Sequence, residues 1–159
     1  MTAAHENSSP DLRADPRPDP QTDLSLGLIG AGAWGRNYIK TIAGLNGVRL
    51  SRLASRNPES PALAGTGCQI SEDWREILTA GDLDGVIIAG TAAVHAEVTL
   101  AAIDHDLPVL VEKPMALTVE EGLDMVRTCR EKGVRLGVGF QRRYHPGHAE
   151  ASRLVREGV

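Results

Sequence analysis

Aromatic side chains are nearly missing from this chain: one phenylalanine, two tyrosines and two tryptophans make up 3% of its 159 residues. A protein so poor in ring platforms has little on which to stack bases, and a formal net charge of -4 gives no general attraction to a polyanion, so nucleic-acid binding is disfavoured. The arginines near the C-terminal end, Arg142, Arg143, Arg153 and Arg156, form a local basic cluster that is assigned to a solvated surface. Cysteine is equally sparse. Cys68 and Cys129 stand alone, with no CxxC pair and no histidine at ligand spacing, so they are expected to be reduced thiols of a cytoplasmic protein, and no metal site is expected. Long hydrophobic runs are absent too; none approaches the roughly 20 residues of a membrane span, and no membrane partner is expected.

What remains is a chain 42% hydrophobic and 24% charged, of a length that suits one ordinary domain with a real core. The first 23 residues hold four prolines, five acids and two arginines without an apolar run. Residues 1–23 are therefore expected to be a disordered tail carrying no secretory leader. From Leu24 onward apolar runs alternate with amphipathic stretches. LSLGLIG, VRLSRLAS, CQI, GVIIAG, PVLVE and VRLGVGF read as strands. Between them helices are expected over Trp34 to Leu45, Pro61 to Ala64, Asp73 to Ala80, Val94 to His105 and Val119 to Lys132. The last is the best marked: Thr118 and Glu121 have capping-box spacing, and Val119, Leu123 and Val126 repeat at helical intervals. Strands joined by crossover helices describe an α/β fold, a doubly wound parallel sheet of the Rossmann type.

The chemistry-bearing residues fall at the carboxyl ends of these strands. In GLIGAGAWGRN, Gly30, Gly32 and Gly35 form GxGxxG between the first strand and the first helix, with Ala33 and Trp34 opening that helix. The first glycine serves a tight turn, the second lets backbone approach a pyrophosphate, and the third allows helix to pack closely on sheet, so a dinucleotide site is expected. After the second strand an acid would mark NAD; here Ser55 and Arg56 stand in its place, which favours NADP, with NAD as the alternative and Arg56 then a plain loop arginine. Thr91, after the fourth strand, has two readings, helix cap or cofactor contact, and His95 is expected about one turn inside the following helix. The fifth strand ends in Glu112, Lys113 and Pro114. A lysine on that crest can hydrogen-bond or take a proton from a substrate hydroxyl, with Glu112 positioning it or the cofactor; the plainer alternative is a surface ion pair.

Taken in order, GLIGAGAWGRN, DGVIIAGTAAVHAE, PVLVEKPMALTVEEG and GFQRRYHPGH resemble the Gfo/Idh/MocA oxidoreductases, and the resemblance covers almost everything after the tail. It implies hydride transfer between a nicotinamide cofactor and a sugar or polyol. By that analogy Lys113 is the catalytic lysine, Glu112 supports the nicotinamide ribose, and Gln141 and Arg142 line the cofactor side of the cleft with Tyr144 nearby. The family usually carries Thr-Pro where this chain has Thr91-Ala92. It also implies a second, mixed α/β domain that recognises substrate, so residues 24–145 are expected to be the NAD(P)-binding domain and residues 146–159 the start of a truncated second one. The chain alone is then expected to hold cofactor without turnover, needing a complementary chain or a homo-oligomer. The alternative is a stand-alone dinucleotide-binding module acting in redox sensing or regulation.

Overall fold

A computed structural model describes residues 23–159; apart from Asp23, the tail assigned to residues 1–23 lies outside the described residues. Six strands form one parallel sheet: β1 (Leu24–Ile29), β2 (Val48–Ala54), β3 (Gln69–Ser71), β4 (Gly85–Ile88), β5 (Val109–Val111) and β6 (Leu136–Val138). Their order is β3-β2-β1-β4-β5-β6, which is the doubly wound arrangement expected. The helices are α1 (Ala33–Ala43), α2 (Trp74–Leu78), α3 (His95–Asp104), α4 (Val119–Lys132) and α5 (Pro146–Glu157), with short 3-10 turns at Pro61–Leu63, Ala92–Val94 and Gln141–Tyr144.

Strand alternation sends side chains to two separate cores. Leu28, Leu53, Ile87 and Ala89 point to the face covered by α1, where they meet Ile42 and Leu63. Ile29, Ala54, Ile88, Val109 and Val111 point to the opposite face, against Val98, Ala102 and Ile103 of α3 and Met125 of α4. All four residues of β4 are buried, as a central parallel strand covered on both faces requires. Because β1 and β4 are neighbours whose following helices lie on opposite faces, a crevice opens between their carboxyl ends.

Local signals set the helix ends. Thr118 accepts from the Glu121 amide while the Glu121 side chain reaches back, and Gly133 closes α4 in left-handed geometry at φ 68°; the expected Val119 to Lys132 bounds hold. Asp73 caps α2 by accepting from the Arg75 amide, and α2 is shorter than expected. His95 begins α3, where one turn inside was expected, because the 3-10 turn Ala92–Val94 intervenes. Helix α5 buries none of its residues. Among the described residues no helix is long and apolar enough to cross a membrane, and no group of three His, Cys, Asp or Glu is placed to hold a metal.

Candidate functional site

The glycine loop connects β1 to α1 at the crevice. Gly30 has φ +104°, and a β-carbon there would lie 2.6 Å from the Gly90 amide nitrogen and 2.7 Å from the Ala89 carbonyl carbon. Both backbone conformation and the close approach to the end of β4 therefore demand glycine. A β-carbon on Gly35 would meet the Gly30 carbonyl oxygen at 2.0 Å, so α1 is seated directly on the loop. Gly32 differs from both: its φ is -66°, and among the described residues nothing lies within 4 Å of where its β-carbon would be. No atom of the described residues requires that position to be bare. Helix α1 starts there with no side-chain cap and no acid in its first turn, so its leading amides and its dipole face open space. An exposed cradle of backbone donors with room above it fits the diphosphate of a dinucleotide.

Glu112 is the centre of the second half of the site. It follows β5, donates its amide to the Ile88 carbonyl at 2.9 Å, and is 5% exposed. Its carboxylate accepts from the indole nitrogen of Trp34, from the Tyr38 hydroxyl at 2.7 Å and from the Lys113 amide at 3.1 Å. A buried carboxylate held by three donors is satisfied where it sits. Among the described residues no ion pair joins it to the Lys113 ammonium, so the surface-ion-pair alternative is not what the fold builds. Glu112 instead fixes the Lys113 backbone and turns its charge inward. The Lys113 ammonium lies 5.8 Å from the centroid of the Trp34 ring, within cation-π range. With Phe140, Gln141, Arg142 and Arg143 it lines a cavity of about 420 Å³, a size suited to a small-molecule ligand.

The remaining candidates divide. Ser55 leaves β2 with its hydroxyl accepting from the Asn57 amide at 3.2 Å, and Arg56 is exposed without a side-chain partner among the described residues. The Thr91 hydroxyl makes no capping bond and is exposed at the crevice. His95 is 1% exposed, with Nδ1 2.8 Å from the Pro114 carbonyl oxygen and Nε2 3.3 Å from that of Gly90. A neutral imidazole has one N–H to donate, and the shorter contact, from Nδ1 to the Pro114 carbonyl, ties the start of α3 to the loop after β5. Tyr144 is 88% exposed.

Two residues around Glu112 were not singled out from the sequence. Tyr38 lies one helical turn beyond Trp34 on α1, a spacing that puts both rings on one face. Gly139 follows β6 beside Glu112, where a β-carbon would come 2.9 Å from the Glu112 carboxylate. The β5–β6 register, with Val111 opposite Val138, is the signal that would have found it.

Burial first, and then the hydrogen bond and charge of Glu112, push the Tyr38 phenol well above its ordinary range. A pKa raised by folding favours the protonated form, so this contribution to stability is complete below about pH 10 and is lost as pH climbs toward the folded value. Tyr38→Phe is expected to cost about 1.5 kcal/mol near pH 7, the lower end for a bond to a charged group because the phenol is half-buried. Urea midpoints should show the gap between wild type and variant closing by pH 11; a gap that stays constant would contradict the assignment.

A family model described as an oxidoreductase family with an NAD-binding Rossmann fold matches residues 24–140. The inositol 2-dehydrogenase of Mycolicibacterium smegmatis is 33% identical over 142 residues, which is 86% of this chain and 41% of that protein. A solved protein of Magnetospirillum magnetotacticum MS-1 superposes with a TM-score of 0.69 at 48% identity, covering 74% of this chain and 38% of its own. The WlbA dehydrogenase of Bordetella pertussis, solved with NADH and UDP-GlcNAcA, gives a TM-score of 0.81 at 29% identity over 89% of this chain and 42% of its own. The chain thus spans about two-fifths of the length of these relatives.

Proposed function

Because the chain belongs to the Gfo/Idh/MocA oxidoreductase family and forms its NAD-binding domain, we propose that it serves hydride transfer between a nicotinamide cofactor and a sugar or polyol carbon. The relatives include inositol dehydrogenases, which supports this substrate class. The observation that carries the reading is the placement of Lys113: on the crest of β5, with its backbone fixed by Glu112 and its ammonium over Trp34 at the mouth of a cavity. A bound nicotinamide would supply the hydride acceptor. With its amine neutral, Lys113 takes the hydroxyl proton as the alcohol is oxidised and becomes the ammonium, which returns that proton in the reverse direction. Gly30, Gly32, Ala33, Trp34 and Gly35 hold the diphosphate end, Thr91 contacts the cofactor at the crevice, and Gln141 and Arg142 flank the nicotinamide side. Glu112 orders Trp34 and the Lys113 backbone, and His95 ties the start of α3 to the loop after β5. Further substrate contacts come from outside residues 24–145.

The cofactor is NADP by preference. Support comes from Arg56, an exposed guanidinium without a partner among the described residues, at the strand end where an acid would bind the ribose of NAD. A charge-assisted bond is worth roughly 1.5–3 kcal/mol, so Arg56→Ala should weaken NADPH binding about ten- to a hundredfold and leave NADH within a few fold. Fluorescence titration with each cofactor separates the outcomes. Equal losses for the two would take Arg56 out of the phosphate site, and absence of saturable binding by either would overturn the functional reading itself.

A further inference from the structure

We propose that Arg142, Arg143, His148 and Arg156 form a binding site for a phosphoryl group on the substrate, so that the sugar or polyol presented to Lys113 is a phosphorylated one. This rests on the oxidoreductase reading and specifies its substrate. The second cavity, of about 490 Å³, is lined by Arg142, Arg143, His148, Ala149, Ser152 and Arg156. It adjoins the cavity at Lys113, since Arg142 and Arg143 line both. A molecule with its reacting carbon at Lys113 would reach the second cavity between these two arginines.

The electrostatics separate this groove from an ordinary basic surface. The chain carries a net charge of -4, yet among the described residues neither cavity has an acid in its lining. Helix α5 is divided by its period. His148, Ser152 and Arg156 recur every four residues and face the groove, whereas Glu150, Arg153 and Glu157 lie on the far side. On that far side Arg153 is held by Glu150 at 2.6 Å and by Glu157. The basic cluster assigned from the sequence to a solvated surface is thus two populations: Arg153, neutralised, and three arginines with no carboxylate partner among the described residues. Arg156 makes one side-chain bond, to the Ser152 carbonyl at 3.2 Å, which leaves its other donors free. A concave surface of one sign concentrates field, and guanidinium forks match phosphoryl oxygens two at a time. The cofactor's own phosphates are accounted for elsewhere. The glycine loop and Arg56 follow β1 and β2, and β4 and β5 separate them in the sheet from β6 and the segment after it that builds this groove.

Isothermal titration of the 159-residue chain with myo-inositol 1-phosphate at low salt tests the site. Saturable one-to-one binding is expected, with myo-inositol at least tenfold weaker and inorganic phosphate competing. The double variant Arg143→Gln/Arg156→Gln should lose tenfold or more while keeping its circular dichroism spectrum. Arg153→Gln, a control on the far side of the same helix, should stay within twofold. UDP-glucose carries the same group on a nucleotide; saturable binding by either compound supports the site, and the tighter one identifies the carrier. Equal losses in Arg153→Gln, binding of myo-inositol as tight as its phosphate, or displacement of the phosphate by NADPH would each overturn the proposal. Titration of the wild-type chain with NADPH alone keeps the readings apart: cofactor binding without phosphate binding removes only the groove, and the converse removes only the cofactor reading.

Discussion

Gly32→Val is expected to abolish dinucleotide binding, by about a hundredfold or more, in a chain that stays folded. The expectation comes from the contrast among the three loop glycines. The Gly32 backbone has φ -66°, which any residue adopts, and the space beside it holds no atom of the described residues. A valine side chain there fills only the volume into which the first amides of α1 point, and each phosphate bond it prevents is worth roughly 1.5–3 kcal/mol. Titration with NADPH should show no saturable signal while circular dichroism is unchanged. Gly35→Ala provides the comparison, since a β-carbon 2.0 Å from the Gly30 carbonyl oxygen must push α1 off the loop. That variant should lose stability by about 1–3 kcal/mol, the scale of overpacking. If Gly32→Val binds NADPH normally, the diphosphate does not lie on this loop.

The second large effect is expected at Lys113, and on turnover. In a catalytically competent preparation containing this chain, Lys113→Met should reduce the rate by about 10² or more, the usual scale for a lost acid-base group. NADPH affinity of the 159-residue chain should stay within a few fold. The division follows from the geometry: the backbone of Lys113 is held by Glu112, and its side chain reaches the cavity shared with Phe140 and Gln141. Methionine keeps the apolar stem and removes the ammonium. A variant with near-normal turnover would leave Lys113 with no part in proton transfer, whereas a large loss of cofactor affinity would make it a cofactor ligand.

The sheet was legible because its signals are local. Each strand is a short apolar run between helices, and β4 shows the continuous burial of a strand covered on both faces. The bounds of α4 were legible because Thr118, Glu121 and Gly133 each satisfy a backbone group at a helix end. The start of α3 holds to one residue of the expected Val94, but a 3-10 turn at Ala92–Val94 precedes it, so His95 stands at the first position of the helix and not a turn inside. The glycine loop was readable as a pattern, but only the backbone separates Gly30 and Gly35, needed by the protein, from Gly32, which no atom of the described residues confines. The surroundings of Glu112 were the least legible. Tyr38 reaches it across 74 positions, and Gly139 makes room for it from the next strand, relations that depend on strand order. The two sides of α5 were hidden in the same way, since four nearby arginines look alike until their neighbours are known.

Trp34 gives the molecule an optical property as well as a structural one. Its indole nitrogen is bonded to the Glu112 carboxylate, its ring lies under the Lys113 ammonium, and it is 42% exposed at the glycine loop. An indole's emission shifts with the electric field along its ring, and here charges of opposite sign sit at its edge and over its face. The chain has one other tryptophan, Trp74, which carries the Arg75 guanidinium 4.2 Å from its ring centroid on a different helix. Exchange of Trp74 for phenylalanine therefore leaves a single tryptophan, at the crevice between β1 and β4. The colour of its light is a direct, label-free record of what occupies that crevice.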